Sequence, residues 1–253
     1  MTSPARASMP AIGAATGALL LAGLLAGCGG GPGQATELST GWPRSASALS
    51  RAEGLIVFDG DSLTEGYMLA PSRSYPAQTM AVLPGWLASE NFGISGQTWP
   101  DLLTDVTCEV DPLYSAERRL NLVVVWAGAN DLAAGYSARE VYENARRYCE
   151  GRKRRGFTVV TLTMYPLQPR DLDAVYEAQR RVYNALLREH WREFAEALVD
   201  VSADERLGDA SGAQRAQYFI DVVHLNEKGY GVIADCVADA IRPIIERAAP
   251  AGK

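Results

Sequence analysis

From Leu55 onward the chain alternates between short apolar runs and longer segments whose apolar residues recur at helical spacing. An apolar run of strand length bounded by turn residues reads as a buried strand, and the longer periodic segments read as amphipathic helices. Leu55-Ile56-Val57-Phe58 is the first strand and ends in Asp59-Gly60-Asp61-Ser62. Ser74-Tyr75-Pro76 opens a helix to about Leu83, because Ser suits the cap and Pro is tolerated in the first turn. Trp86 to Phe92 reads as a second strand, Pro100 to about Cys108 as a short helix, and Leu120 to Trp126 as the clearest strand of all. Ser137-Ala138-Arg139-Glu140 is a capping box for a helix that buries Val141, Ala145, Tyr148 and Cys149 and ends at Gly156. Phe157 to Thr163 is a fourth strand. Asp171 begins a long helix with Val175, Val182, Leu186 and Leu187 inward, and Ala197 to Val201 is the fifth strand. Asn226 starts the last helix, with Ile233, Val237, Ile241 and Ile244 on one face.

Strands alternating with helices imply βαβ crossovers, hence a parallel sheet covered by helices on both faces. The expected architecture is a three-layer α/β/α sandwich. In such sheets ligands bind beyond the carboxyl ends of the strands, which directs the search for chemistry to the strand exits.

The first fifty residues follow another pattern. A weak positive start at Arg6 precedes an Ala/Gly/Leu run that ends in Leu25-Ala26-Gly27-Cys28. The run is less apolar than a spanning helix of about 20 residues requires, so residues 1–27 read as a cleaved export signal. Its ending resembles the lipobox of bacterial lipoproteins, which implies a lipidated Cys28 anchored to the cell membrane. Residues 28–50, rich in Gly, Pro, Ser and Thr, read as a flexible tether, leaving residues 51–253 as one domain. The net charge of −6 and the absence of a basic stripe argue against a nucleic-acid partner. Arg152-Lys153-Arg154-Arg155 closes a helix, where cations suit the helix dipole. Cys108 and Cys149 end helical segments flanking one strand and could form a disulfide, whereas Cys236 reads as a small core residue.

Four strand exits carry glycine and polar residues: Gly60-Asp61-Ser62-Leu63, Asn91-Phe92-Gly93-Ile94-Ser95-Gly96, Gly128-Ala129-Asn130-Asp131 and, after the fifth strand, Asp221-Val222-Val223-His224. Their types match the needs of acyl transfer. A serine nucleophile needs a base, and of the two histidines His190 sits in a charged helix while His224 follows Asp221 by three residues. Asp221 can orient the imidazole and stabilise its charged form. The tetrahedral oxyanion needs donors in place beforehand, which the Ser62 and Gly93 N–H groups and the Asn130 amide can supply. Taken singly these are ordinary turn motifs; their joint occurrence at strand exits points to one site.

On these residues the segment from about 54 to 248 resembles the SGNH/GDSL hydrolases. The resemblance implies a flavodoxin-like sheet of five parallel strands, and a Ser62-His224-Asp221 triad with Ser62, Gly93 and Asn130 as oxyanion hole. It also implies no metal or cofactor and a small-molecule, lipid or acylated-carbohydrate ester as substrate. Tyr67, Trp99, Tyr136 and Tyr165 follow the strand exits and are candidate pocket walls, and the lack of a long lid insertion suggests short acyl groups. Two other readings compete. Phe58 to Thr64 also resembles the first motif of haloacid-dehalogenase-like phosphatases, in which Asp59 would attack phosphate beside Mg²⁺. A surface binding module that kept the fold without turnover is the other.

Overall fold

Branched and aromatic side chains suit an extended backbone once both faces of a sheet are covered. In the computed structural model, which describes residues 52–169, 172–211 and 213–250, every residue of β1 (Gly54–Gly60) and β3 (Leu120–Trp126) is buried. With β2 (Leu87–Asn91), β4 (Thr158–Leu162) and β5 (Ala197–Val199) they form one sheet of order β2-β1-β3-β4-β5. All four pairings are parallel. The helices are α1 (Ser62–Glu65), α2 (Tyr75–Ala81), α3 (Trp99–Asp105), α4 (Ala129–Ala133), α5 (Ala138–Arg155), α6 (Ala174–Phe194) and α7 (Glu227–Ala248).

Successive strand residues point to opposite faces, and the two cores divide accordingly. Leu55, Val57, Val123 and Val125 pack against Trp99 and Leu102 of α3, Val141 and Tyr148 of α5 and Tyr183 and Leu187 of α6. Ile56, Phe58, Val124 and Trp126 pack against Tyr75 of α2 and Tyr230, Ile233, Val237, Ile241 and Ile244 of α7. The three-layer sandwich expected from the alternation is therefore present. The strand order reverses at β1, because the chain leaves it for β2 on one side and returns to β3 on the other. A crevice opens at such a point, beyond the carboxyl ends of β1 and β3.

The inward face of α6 departs from expectation. Its cap is Asp173, whose Oδ1 accepts from Val175 N and Tyr176 N, and Asp171 lies outside the described residues. Val175 and Val182 are 74% and 50% exposed, while Glu177, Arg180 and Asn184 are buried. The reason lies in the loop after β4, whose buried backbone groups require partners. Arg180 donates to Met164 O at 2.9 Å, Asn184 pairs with both the N and O of Met164, and Glu177 accepts from Leu167 N at 2.7 Å. Backbone satisfaction outweighs burying two valines.

No Cys108–Cys149 bridge forms. Cys149 is a free thiol sealed in the core under α5, its pKa pushed by burial up to about 12, and Cys108 lies at the surface. The signal, the lipidated Cys28 and the tether fall in residues 1–50, outside the described residues. Among the described residues no helix is long and apolar enough to cross a membrane.

Candidate active site

The nucleophile candidate is placed by the end of β1. Gly60 has φ +152°, and a Cβ there would lie 2.1 Å from Trp126 O, so only glycine lets β1 turn beside β3. Asp61 follows as the cap of α1, its Oδ1 accepting from Leu63 N at 2.9 Å. Ser62 is thereby the first residue of α1, and its own N–H meets no acceptor among the described residues.

The base comes from outside the sheet. His224 Nε2 lies 2.9 Å from Ser62 Oγ, and His224 Nδ1 lies 2.7 Å from Asp221 Oδ2. The other Asp221 oxygen accepts from Val223 N at 2.9 Å and His224 N at 2.6 Å. Partial burial raises the Asp221 pKa, but these hydrogen bonds outweigh it and hold the carboxylate below its ordinary range. An ionised Asp221 fixes the tautomer with hydrogen on Nδ1, which leaves Nε2 free to accept the Ser62 proton. The loop bearing His224 is tied down by its backbone: Ile220 N donates to His224 O at 3.0 Å, Gln168 N to Val222 O at 2.8 Å and Tyr165 OH to Val223 O at 2.6 Å. Tyr67 lies against the imidazole, with ring centroids 4.3 Å apart.

Of the three candidate oxyanion donors, one is already engaged. Asn130 stands in α4 beyond β3, and its Nδ2 donates to Gln97 O at 2.8 Å, leaving the second amide hydrogen uncommitted. Gly93 N–H is already given to Asn91 Oδ1 at 2.9 Å. Gly93 serves close packing instead, since a Cβ there would lie 2.2 Å from Glu65 N. Three residues on, Gly96 has φ +87° and an N–H without an acceptor among the described residues. Its neighbour Gln97 is the residue that holds Asn130. Hydrogen bonding and space both separate the two glycines of Gly93-Ile94-Ser95-Gly96.

The four pocket candidates scatter. Of the four, Tyr67 lies against the His224 ring. Trp99 is fully buried, its N–H donating to Asp131, and belongs to the core. Tyr165 is 3% exposed and holds the His224 loop from beneath. Tyr136 lines a separate surface cleft of about 320 Å³ with Arg139, Glu140, Glu143 and Asn144. Two residues beneath the site carried no local signal. Arg215 is 1% exposed, donates to the carbonyls of Pro166 and Leu167, and stacks on Phe219. Glu65, one turn after Ser62, grips the loop beyond β2 through Ser95.

Asp59 cannot act as an exposed nucleophile. It is 2% exposed, with one oxygen accepting from Gly60 N and the other from Tyr148 OH. Burial is the main cause that lifts its pKa to about 7, and burial likewise lifts Asp61 to about 7 and Asp131 to about 6. The phosphatase reading loses its attacking group.

A doubly wound parallel sheet with a serine, an imidazole and a carboxylate in hydrogen-bond sequence beyond its strand ends is an arrangement met in hydrolases. Residues 58–232 match the model of the GDSL-like lipase/acylhydrolase family, and the chain belongs to that family. No curated protein matches the sequence. Among solved structures, a lipolytic G-D-S-L family member from Veillonella parvula DSM 2008 is similar, with TM-score 0.61 and 20% identity over 76% of this chain and 98% of that one. An acetyl-xylooligosaccharide esterase from Geobacillus stearmophilus matches with TM-score 0.60 and 19% identity over 76% and 94%. A psychrotrophic esterase from Pseudoalteromonas sp. matches with TM-score 0.57 and 17% identity over 76% and 99%. At these identities the likeness is one of fold. Membership in a family of hydrolases sets aside the reading of a binding module without turnover.

Proposed function

We propose that the protein is a serine esterase that cleaves carboxylic esters through an acyl-enzyme on Ser62. The observation that carries the proposal is the unbroken relay from Ser62 Oγ through His224 to Asp221, at 2.9 Å and 2.7 Å. Ser62 Oγ bonds to the carbonyl carbon while its proton passes to His224 Nε2. The tetrahedral oxyanion accepts hydrogen bonds from Ser62 N–H, Gly96 N–H and the Asn130 amide. Collapse of that intermediate breaks the bond to the leaving alcohol, which departs with the proton from His224. Water then attacks the acyl-enzyme by the same route, delivering the acid and free Ser62.

The lack of a long insertion after any strand exit supports an open site that favours short acyl groups. An acetylated carbohydrate is one such substrate, in line with the activity named for the Geobacillus neighbour. The ending Leu25-Ala26-Gly27-Cys28 supports export and attachment to the bacterial membrane through lipid on Cys28. Palmitate labelling that survives Cys28→Ser refutes that attachment.

The test of mechanism is labelling with a fluorophosphonate and hydrolysis of p-nitrophenyl acetate. Ser62→Ala is expected to abolish labelling, and Ser62→Ala and His224→Ala to lower kcat by roughly 10⁴-fold or more in folded protein. Asp221→Ala should leave more activity, because it orients the base without touching substrate. Full hydrolysis by Ser62→Ala overturns the proposal. A series of p-nitrophenyl esters should show its optimum at short chains, and an optimum at long chains contradicts that part.

A further inference from the structure

The proposed chemistry requires a loop beyond β2 to hold an N–H group towards Ser62, yet a tight turn has an easily reoriented central peptide. Residues 94–97 form such a turn: Gln97 N donates to Ile94 O at 3.2 Å, and Gly96 at the third position has φ +87°. This is the conformation a type II turn demands, and its middle peptide carries the Gly96 N–H. Turning the Ser95–Gly96 peptide over would aim a carbonyl where the donor belongs. Something must pin it.

Glu65 Oε2 accepts from Ser95 N at 2.8 Å and from Ser95 Oγ in a shorter contact. A carboxylate acceptor makes both bonds stronger than neutral ones. Glu65 sits three residues after Ser62 on α1, so the anchor and the nucleophile share one rigid turn. Ile94 N donates to Gly60 O at 3.1 Å, and Gln97 O accepts from Asn130 Nδ2 at 2.8 Å. The Ser95–Gly96 peptide is thus gripped on both sides; Asp105 steadies the far end of the turn by accepting from the Gln97 side chain at 3.0 Å, and Glu65 is the charged group that bonds Ser95 itself.

We propose that Glu65 is a positioning residue that clasps Ser95 and so holds the Gly96 N–H in the oxyanion hole. It touches neither substrate nor Ser62 Oγ, and its effect passes through the loop. The idea rests on the serine-esterase reading above, and the experiment separates the two.

In the full-length protein, kcat and KM for p-nitrophenyl acetate are compared for wild type, Glu65→Gln, Glu65→Ala, Ser95→Ala and Ser62→Ala. Amide hydrogen exchange of residues 94–97 is measured in parallel. Loss of one oxyanion donor costs about 10²- to 10³-fold in kcat, so Glu65→Ala should lose about 10- to 100-fold in kcat with KM changed less than about threefold. Ser95→Ala, which keeps the backbone arm, should lose only a fewfold, and Glu65→Gln should fall between. Exchange at 94–97 should quicken in Glu65→Gln and Glu65→Ala while the melting temperature changes little. If Glu65→Ala fails to fold, Glu65→Gln decides. Wild-type kcat in the Glu65 variants beside an inactive Ser62→Ala, or unchanged exchange at 94–97, overturns the clasp. Activity retained by Ser62→Ala overturns the esterase reading instead, and the exchange data then still judge the clasp.

Discussion

The two halves of the catalytic pair are held by different physics. Ser62 follows a fully buried strand that pairs on both sides, and the turn leading to it is dictated by the lack of room beside Trp126 O. His224 sits in a loop outside the sheet, with Ile220 42% and Val222 44% exposed just ahead of it. Scattered contacts hold it: the Asp221 carboxylate, one antiparallel bridge between Phe219 and Leu225, three backbone acceptors, and the buried Tyr165 and Arg215 behind them. Secondary structure fixes the nucleophile, and side chains from remote segments fix the base. The first should respond to substitution by losing the fold, the second by losing rate.

The largest effect is expected at Gly60. Gly60→Ala forces a Cβ into Trp126 O at a positive φ, and should lower stability by about 3 kcal/mol or more, read by urea denaturation. A near-normal midpoint would mean that the β1 exit can shift, and the contrast between the halves would weaken. Tyr165→Phe probes the other side. It removes the 2.6 Å bond to Val223 O from beneath the loop and should cost about 1 kcal/mol of stability. Its kcat should fall about tenfold, because the imidazole is then held less well. A stability loss with kcat unchanged would show that the loop holds itself.

Tyr67→Leu is expected to act more weakly. The ring lies against the imidazole and favours its charged form during acylation, so kcat should drop about threefold with a folded protein. The smallest effect concerns pH. Burial lifts Asp59 from 3.8 to about 7, so the folded chain keeps a proton that the unfolded chain releases. Stability therefore falls as pH rises across that window and levels off above about 7. Asp59→Asn should flatten part of the decline in melting temperature between about pH 4 and 7, with Asp61 and Asp131 contributing to the same decline. A decline unchanged by Asp59→Asn would place its cause elsewhere.

Much of this arrangement could be read from the chain. The strands were legible because Leu120–Trp126 and Leu55–Phe58 are apolar on both faces, a pattern that only a covered parallel sheet accommodates. The Ser137 and Asn226 helix starts were legible through cap chemistry, and both side chains do cap. Local rules failed where a residue answers to something distant. Val175 and Val182 fit the helical period, yet the carbonyl of Met164 claims the inward face for Arg180 and Asn184. Trp99 and Tyr165 sit at strand exits like Tyr67, but they turn under the site rather than into it.

Sequence by itself determined the layered architecture and the choice of Ser62, His224 and Asp221 as candidates, because strand periodicity and functional-group chemistry are local properties of the chain. Tertiary structure alone decided that Gly93 packs against Glu65 while the Gly96 N–H meets no acceptor among the described residues, and that Cys149 stays a buried thiol. It also decided that Glu65, Tyr165 and Arg215 support the site. Most of these depend on which atoms meet across more than twenty residues of chain, and such a meeting leaves no periodic trace in the sequence.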